Sequence, residues 1–379
     1  MNRLCIYMTY NKECRIYKYI CQALKSIKEC CFDLCLVCNY REVECDLEYI
    51  HSFTDYVFFR DNRGYDSGAY KDVLCNFIGW SKLSQYDELI LVNDSFFCFF
   101  YPLQDTFDLM DQMECDFWGM TGQSSGEFSN PVYEFEAHIH SYFLVFKRGV
   151  VQSRAFRDFW ENYSYPQNFR EAIVNYEIGL NQCLKQQGFK GISYIDVYNC
   201  TLNKNENPCY SKPLKLIKDY KIPVMKKKCV LIRNPGFKEV LEVLTYLEKE
   251  DLYPVDWIIS YMENQFYIRG MGEKPNNSLE IFYKTYANLY IYGSGVCGKN
   301  LAIYFSYKGW NHQGFIVTNP VDTENIISLE DADINENTGI VVSLLNKEIA
   351  SDIERHIGNR CKHEQLFFIS ECEAIKLPE

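Results

Sequence analysis

The sequence lacks several features that would assign it to a specialised class of protein. No stretch contains the ~18 consecutive apolar residues of a membrane-spanning helix, and the first residues, MNRLCIYMTY, do not lead into an apolar segment of signal-peptide length. No internal repeat and no low-complexity tract occurs. Basic residues are few, with 39 Lys and Arg against 51 Asp and Glu, and the net charge of −12 repels phosphate backbones. We therefore expect a cytoplasmic protein with no nucleic-acid partner.

Cysteine is frequent, with 18 residues, but a cytoplasmic chain keeps its thiols reduced. The spacing of Cys35 and Cys38 matches one half of a zinc site, whereas the surrounding run, CFDLCLVC, is typical of a buried strand. A zinc site would need a second ligand pair, and only His51 lies near in sequence. We therefore favour buried thiols over zinc.

The rest of the composition is that of a globular protein with two or three domains. The chain has 379 residues, and a domain usually contains roughly 100–200. Hydrophobic residues make up 47% and charged residues 24%, which excludes global disorder. Aromatic residues reach 16%, which predicts ring-rich cores or sugar-facing surfaces.

The first half of the chain alternates between strand and helix patterns. Residues 3–10, 32–38 and 54–59 are rich in β-forming residues, and residues 15–29 carry apolar residues at helical spacing. This β-α-β order predicts a mostly parallel sheet flanked by helices, in which ligands bind at the carboxyl ends of the strands. Further strands are predicted at 88–92 and 142–146, and a further helix at 171–187 that Gly188 closes.

A second α/β region follows a loosely patterned segment at 199–235. Helices are predicted at 236–250 and 254–267, and the loop 270–278 (GMGEKPNNS) indicates a linker. The strand pattern then resumes with NLYIY and continues at 314–317, 339–344 and 366–369. We predict an α/β protein with a first domain over 1–235, a helical linker over 236–283 and a small Rossmann-like α/β domain over 284–379.

Asn93, Asp94 and Ser95 follow the predicted strand at 88–92. A carboxylate at the end of a buried strand is well placed to hold a divalent cation against a diphosphate, which makes Asp94 a candidate metal ligand. The alternative is a turn in which the aspartate caps the next helix.

The loop 60–68 and the helix at 171–187 carry further candidates. Two glycines in the loop allow a close approach of the backbone to a ligand, Arg63 could contact phosphate or a base, and Asp66 could bond a sugar hydroxyl. An Asn/Gly-rich turn is the structural alternative. In the helix, Glu177 is a candidate general base, with a solvated glutamate as its alternative.

In their chain order, these segments resemble the rhamnan synthesis protein F family of glycosyltransferases over about residues 1–230. The resemblance lies in NRGYDSGAY, LVNDSFF, DFWGMT, SYFLVF and YEIGLNQCLKQQGFK. It implies a GT-A-like domain that transfers rhamnose from a nucleotide sugar such as dTDP-rhamnose, often with Mn²⁺ or Mg²⁺. It also implies a glycan or lipid-linked acceptor, and with it peripheral contact at the inner face of the membrane.

The resemblance further implies roles for individual residues. Asp94 is the one acidic residue in the place of the Asp-x-Asp metal and diphosphate motif, and Glu177 takes the place of the catalytic base. His138 and His140 are candidates for contact with the acceptor or the donor, and two loop histidines are the alternative. The implied donor-binding residues are Asn62, Arg63, Asp66, Asn93, Asp94 and Ser95.

Basic side chains are the alternative to a metal at this motif. The leaving diphosphate gains negative charge, which a cation must stabilise. Arg63 and the run Lys226–Lys228 are the candidates. The lysine run otherwise indicates a solvated face or a contact with anionic lipids.

Gly293, Gly295 and Gly298 lie between the strand pattern LYIY and a helix pattern, which is the order of a dinucleotide fingerprint. The acidic residue expected about 20 residues further on is absent, because Thr318 follows the strand pattern GFIV. We therefore favour a structural Rossmann-like module, or one that binds another nucleotide, over NAD.

The sequence thus predicts a hexosyltransferase of rhamnosyl type that builds a cell-surface polysaccharide. A catalytically inactive GT-A-like scaffold protein in the same pathway is the first alternative, because Asn93 and Ser95 replace acidic residues. An oxidoreductase that works through the glycine motif is the second.

Overall fold

The computed structural model describes residues 1–11, 14–40, 47–129, 132–196, 207–263, 266–267, 279–318, 326–358 and 360–369. The chain forms two compact units: Met1–Cys209 with Lys215–Lys226, and Tyr210–Leu214 with Lys227–Lys376. The two helices that were predicted to form a linker, at 236–250 and 254–267, belong to the second unit. The predicted linker loop 270–278 lies outside the described residues, and the division into domains at 235 and 283 stays a prediction.

The centre of the first unit is a sheet whose inner strands are buried. The strands up to residue 226 are β1 (Arg3–Thr9), β2 (Asp33–Cys38), β3 (Tyr56–Phe59), β4 (Glu88–Asn93), β5 (Phe96–Cys98), β6 (Phe117–Gln123), β7 (Gly126–Ser129), β8 (Val132–Phe135), β9 (His138–Ile139), β10 (Phe143–Lys147), β11 (Gly191–Ile195) and β12 (Val224–Lys226).

Helices connect these strands. Two segments are π-helical: Val73–Ile78 follows α3, and Ile173–Ile178 joins α8 to α9 in one helical run. The helices up to residue 218 are α1 (Lys18–Cys30), α2 (Leu47–His51), α3 (Tyr65–Asp72), α4 (Trp80–Leu83), α5 (Leu103–Asp111), α6 (Arg148–Val151), α7 (Arg154–Asn162), α8 (Phe169–Ala172), α9 (Gly179–Gln186), α10 (Pro208–Ser211) and α11 (Pro213–Lys218).

The strand order confirms the predicted α/β class. The main sheet runs β11-β6-β10-β4-β1-β2-β3, and β9 pairs with β6. The neighbours β4, β1, β2 and β3 are parallel, as predicted, whereas β10 runs antiparallel between β4 and β6. Because Met8 pairs with Asn93 and Thr9 pairs with Cys38, the carboxyl ends of β1, β2 and β4 meet at one edge of the sheet.

Cys35 and Cys38 lie within β2 and are 0% exposed. Residues three apart on a strand point to opposite faces of the sheet, so these two thiols do not converge as a ligand pair. Burial raises the pKa of Cys35 well above its ordinary value, which keeps it a thiol. Within the described residues, no three His, Cys, Asp or Glu side chains are grouped so as to hold a metal ion. The favoured interpretation of buried thiols therefore fits the fold.

The second unit contains a sheet of order β13-β18-β17-β14-β15-β16, in which all neighbours except β13 and β18 are parallel. The predicted helix at 254–267 ends at Glu263, because residues 266–267 pair as a strand instead. The strands of the second unit are β13 (Phe266–Tyr267), β14 (Asn288–Tyr292), β15 (Gly314–Val317), β16 (Ile326–Ser328), β17 (Thr338–Val342) and β18 (Leu366–Ile369). Its helices are α12 (Phe237–Lys249), α13 (Val255–Glu263), α14 (Leu279–Thr285), α15 (Val296–Tyr307) and α16 (Lys347–Ile357).

Among all the helices of the described ranges, none has both the length and the apolar character of a membrane span.

Candidate active site

The Asn93-Asp94-Ser95 turn lies at the carboxyl edge of the main sheet, directly after β4. Asp94 is 8% exposed, and its Oδ2 accepts a hydrogen bond from the Thr9 hydroxyl at 2.8 Å, at the end of β1. The Asn93 Oδ1 accepts from the backbone N–H of Ser95 at 3.1 Å. A strand, β5, follows the turn, so Asp94 does not cap a helix. The turn instead presents its side chains where a parallel sheet binds ligands.

The loop after β3 brings a second carboxylate to the same edge. The Asp66 Oδ2 accepts from the Asn93 Nδ2 at 2.8 Å, and its Oδ1 accepts from the Ser67 backbone N–H at 2.9 Å. Burial raises the pKa of Asp66; the hydrogen bonds from Asn93 and Ser67 oppose that rise, and the charge of Glu177 adds to it. The structure thus joins two of the predicted donor-binding segments through one hydrogen bond.

Two glycines shape the turn that positions Asp66. Gly64 has a φ of 75°, in the left-handed region that favours glycine. A Cβ atom on Gly68 would lie 2.2 Å from the carbonyl oxygen of Arg63. Both glycines are therefore required by the conformation of the loop itself.

Arg63 and Asn62 lie on the exposed side of this loop. The Arg63 guanidinium stacks on the Tyr165 ring, 4.2 Å from its centroid. The Asn62 Oδ1 accepts from the Asn39 Nδ2 at 3.0 Å. The neighbouring Arg60 is instead paired with Asp72 at 2.8 Å, so Arg60 supports the loop while Arg63 faces solvent.

Glu177 lies in the π-helical segment Ile173–Ile178. Its Oε2 accepts from the backbone N–H and from the hydroxyl of Ser141, each at 2.7 Å, and its Oε1 lies 3.6 Å from the Nε2 of His138. Burial acts to raise the pKa of this carboxyl, but the hydrogen bond from His138, the charges of His140 and His138 and the Ser141 N–H outweigh it. The pKa of Glu177 is held well below its usual range. Glu177 is therefore an ionised, bonded carboxylate and not a solvated one.

His138 and His140 both belong to a buried polar network. His138 is 6% exposed, and its Nδ1 lies 2.9 Å from the carbonyl oxygen of Glu136. Because a carbonyl only accepts, this Nδ1 carries a proton. The His140 Nδ1 bonds the Thr121 hydroxyl at 2.8 Å, and Thr121 bonds the Tyr142 hydroxyl at 2.8 Å. His138 thus lies on β9 and His140 directly after it, each held by a hydrogen bond, and their contact with the acceptor or the donor stays a prediction.

Lys226 reaches the same strand edge from β12. This strand pairs antiparallel with β5, and Lys226 lies opposite Phe96. The Lys226 Nζ donates to the Ser95 Oγ at 3.1 Å and lies 3.6 Å from the centroid of the Tyr142 ring. Lys227 is 7% exposed. These two lysines therefore do not form the solvated face that the lysine run indicated, and a contact with anionic lipids stays a prediction.

Sequence reasoning missed four residues of the site: Thr9, Thr121, Ser141 and Tyr142. Thr9 ends a predicted strand, so the rule that places ligands at strand ends could have found it. The other three meet the site because β10 runs antiparallel between β4 and β6. Nothing in the local sequence pattern indicates that pairing.

The glycine turn of the second unit connects β14 to α15. Gly293 has a φ of 101°, and a Cβ atom on Gly298 would lie 1.9 Å from the carbonyl oxygen of Gly293. Gly295 lies at the N-cap of α15, and the Ser343 hydroxyl donates to the Tyr292 carbonyl at 2.8 Å. The conformation of the turn thus accounts for Gly293 and Gly298, and nucleotide binding there stays a prediction.

The model of the rhamnan synthesis protein F family matches residues 34–286 of the chain. The chain belongs to the rhamnan synthesis protein F family. The match includes Asp66, Asp94, Glu177 and Lys226, and it confirms the family that the motifs predicted.

One relative of this chain is the uncharacterized protein y4gN of Sinorhizobium fredii. The two are 28% identical over 164 residues, which are 42% of this chain and 40% of y4gN. The chain therefore spans less than half the length of this relative.

The solved structures that are similar to this chain include nucleotide and sugar transferases. A 4-diphosphocytidyl-2C-methyl-D-erythritol synthase is 10% identical with a TM-score of 0.35, and the match covers 57% of this chain and 99% of that one. Core-mannan synthase A from Aspergillus fumigatus, in a Mn/GDP form, is 10% identical with a TM-score of 0.28, over 48% and 70%. TarS from S. aureus is 12% identical with a TM-score of 0.29, over 48% and 56%. At these scores, none of the likenesses says what this chain binds.

Proposed function

We propose that this protein is a glycosyltransferase that moves rhamnose from a nucleotide sugar, dTDP-rhamnose, to a growing cell-surface polysaccharide or lipid-linked glycan. The observation that carries the proposal is the convergence of Asp66, Asn93 and Asp94 at one carboxyl edge of a parallel sheet, within electrostatic reach of the ionised Glu177. Membership in the rhamnan synthesis protein F family supports the same activity. A lipid-linked acceptor would place the enzyme in the cytoplasm, at the inner face of the membrane.

The donor would lie along the loop after β3 and the turn after β4. Arg63, stacked on Tyr165, offers a cation and an exposed edge to the nucleotide. Asn62 and Asp66 offer polar atoms to the hydroxyls of a ribose or sugar, and the turn of Asn93, Asp94 and Ser95 would lie beside the diphosphate. One donor molecule could contact both segments, because the hydrogen bond between Asn93 and Asp66 holds them side by side.

In the transfer, the acceptor hydroxyl oxygen forms a bond to the anomeric carbon of the donor. The bond between that carbon and the diphosphate oxygen breaks, and its electron pair stays on the diphosphate. The hydroxyl proton passes to the Glu177 carboxylate, and His138 and His140 contact the acceptor or the donor. A carboxylate with a low pKa is a weak base. It suffices here because the acceptor oxygen becomes strongly acidic as it bonds to the anomeric carbon.

For the second unit we propose a Rossmann-like module whose glycine turn holds a nucleotide or a sugar nucleotide. The parallel pairing of β14 with β15 and β17 supports this, as does the order of strand, glycine turn and helix. Thr318 stands where a dinucleotide site has an acidic residue, and its hydroxyl bonds the Tyr292 hydroxyl at 2.5 Å. This argues for a ligand other than NAD.

The experiment that tests the transferase combines binding with turnover. The protein is melted with dTDP, UDP, GDP and CDP and with their sugar conjugates, because a ligand of the native state raises the melting temperature. Release of nucleoside diphosphate from each conjugate is then measured with the wild type and with Glu177→Gln. We expect one base to stabilise both proteins equally, while release falls about 100-fold or more in Glu177→Gln.

The other outcomes discriminate between the alternatives. Stabilisation without any release of diphosphate would favour the scaffold protein. A change in nicotinamide absorbance with NADH and no response to nucleoside diphosphates would favour the oxidoreductase. An equal loss of binding and release in Glu177→Gln would contradict the role of Glu177 as the base.

A further inference from the structure

We propose that the Lys226 ammonium takes the place of a divalent cation at the diphosphate, so that transfer by this enzyme needs no metal. The inference rests on the proposed glycosyltransferase activity and specifies how that site binds its donor. Lys226 belongs to the same unit as Asp94 and Ser95. The structure distinguishes it from Arg63, another candidate for this role, because Arg63 lies on the exposed side of the neighbouring loop.

Three contacts hold the ammonium in place. The pairing of β12 with β5 fixes the backbone of Lys226 opposite Phe96, the residue that follows Ser95. The Tyr142 ring lies 3.6 Å from the Nζ atom, and the Tyr142 hydroxyl is in turn bonded to Thr121. The Ser95 Oγ accepts from the Nζ at 3.1 Å. Lys226 is therefore a positioned cation and not a mobile surface lysine.

The oxygen atoms around it fit a divalent cation poorly. Mg²⁺ and Mn²⁺ prefer several carboxylate or carbonyl oxygens in one shell. Of the Asn93-Asp94-Ser95 turn, only Asp94 is a carboxylate, and its Oδ2 already accepts from Thr9. The Ser95 Oγ accepts a hydrogen bond from the Lys226 ammonium, and the Asn93 Oδ1 accepts one from the Ser95 backbone N–H. A metal bound to the Ser95 Oγ would also meet the like charge of Lys226 within a few ångströms.

An ammonium at this position supplies the chemistry that the leaving group needs. The diphosphate gains one negative charge when its bond to the anomeric carbon breaks, and a fixed cation beside it stabilises that charge. Ammonium donors bind phosphate oxygens through short, charge-assisted hydrogen bonds. Asp94 would then accept a hydrogen bond from a donor hydroxyl instead of holding a cation.

The test compares Lys226→Met with Lys226→Arg and with Lys218→Met, which removes an exposed lysine from α11. Affinity for dTDP, UDP, GDP and CDP and for the matching nucleosides is measured by calorimetry, with EDTA and with Mg²⁺ or Mn²⁺. Release of diphosphate from the sugar conjugates is followed under the same conditions, and the melting temperature of each variant reports its folding.

In EDTA, the wild type is expected to bind its preferred diphosphate and to release it at the rate seen with metal. Lys226→Met should weaken diphosphate binding about tenfold or more while leaving nucleoside binding within about twofold, because the ammonium contacts only the phosphates. Lys226→Arg should retain most of the affinity, and Lys218→Met should match the wild type. Folding failure of Lys226→Met leaves Lys226→Arg and the metal dependence of the wild type as the deciding measurements.

Wild-type binding or release that disappears in EDTA and returns with Mn²⁺ would overturn the role of Lys226 and leave the transferase intact. Unchanged diphosphate affinity in a folded Lys226→Met would do the same. A wild type that binds no nucleoside diphosphate in any medium would instead overturn the proposed transferase, and this inference with it.

Discussion

At the scale of single residues, the surroundings of the candidate site shift the pKa values of two carboxyl groups, Asp66 and Glu177, in opposite directions. Burial raises the pKa of Asp66, whereas His138, His140 and Ser141 overcome burial and lower the pKa of Glu177. Pairs of titratable groups driven apart by their surroundings are typical of sites that divide binding and proton transfer between them. Under the proposed function, Glu177 accepts the proton and Asp66 binds the donor hydroxyls.

The lowered pKa of Glu177 predicts a specific dependence of stability on pH. Its pKa in the folded protein lies below the ordinary value of 4.5, so its contacts stabilise the fold fully above pH 4.5 and lose that contribution as pH falls further. Replacing it by Gln removes this titration. The unfolding free energy of the wild type should therefore be higher than that of Glu177→Gln. This difference should be largest at neutral pH and should decrease below pH 4.5.

Urea denaturation at a series of pH values between neutral and acid checks this expectation. The matched control is Glu29→Gln, which removes the charge of an exposed glutamate on α1. If the difference in unfolding free energy between the wild type and Glu177→Gln stays constant on acidification, the contacts of Glu177 do not favour its ionised form.

At the scale of elements, the loop between β3 and α3 depends on glycine for its shape. A Cβ atom at Gly68 would meet the Arg63 carbonyl oxygen at 2.2 Å, whereas one at Gly149 in α6 meets no atom within 4 Å. Gly68→Ala should therefore cost about 1–3 kcal/mol of stability. It should also weaken nucleoside diphosphate binding, because Arg63 and Asp66 must move together.

The control, Gly149→Ala, should be neutral or stabilising by up to about 1 kcal/mol, because alanine favours a helix over glycine. Melting temperatures and calorimetric affinities of both variants decide the matter. If Gly68→Ala binds nucleotides as tightly as the wild type, the loop does not position the donor.

The same elements show how far the sequence could be interpreted. Strands β1, β2 and β4 were predicted to within one or two residues because buried parallel strands appear as continuous apolar runs. The direction of β10 and the pairing of β12 with β5 were not predicted, since both depend on contacts between distant segments. For that reason motif order could propose Asp66, Asp94 and Glu177 as site residues, whereas the contact between Lys226 and Ser95 became visible only in the fold.

At the scale of the whole molecule, an acidic chain uses some of its few cations inside its structure. Arg3 is 5% exposed and pairs with Glu88 at 2.6 Å and with Asp111 at 2.8 Å, and its guanidinium lies 4.1 Å from the Phe107 ring centroid. Arg3 and Glu88 are register partners at the start of the parallel strands β1 and β4. This ion pair joins the amino ends of the same two strands whose carboxyl ends form the candidate site, so it supports the site from the opposite edge of the sheet.

Removing Arg3 should therefore destabilise the first unit without touching the site. Arg3→Ala leaves the buried carboxylate of Glu88 and the half-buried one of Asp111 without their cation, and breaking a buried pair in this way typically costs about 3–5 kcal/mol. Arg154→Ala is the matched control: its ion pair with Asp158 is exposed, with the arginine side chain 92% accessible, and its loss should change stability by about 0.5 kcal/mol or less. Hydrogen exchange of the amides in β1 reports on this unit separately from the second, and it should accelerate strongly in Arg3→Ala only. Equal exchange rates in the two variants would mean that the buried pair adds no more to the sheet than a surface pair, and that the apolar strands alone hold its two edges in register.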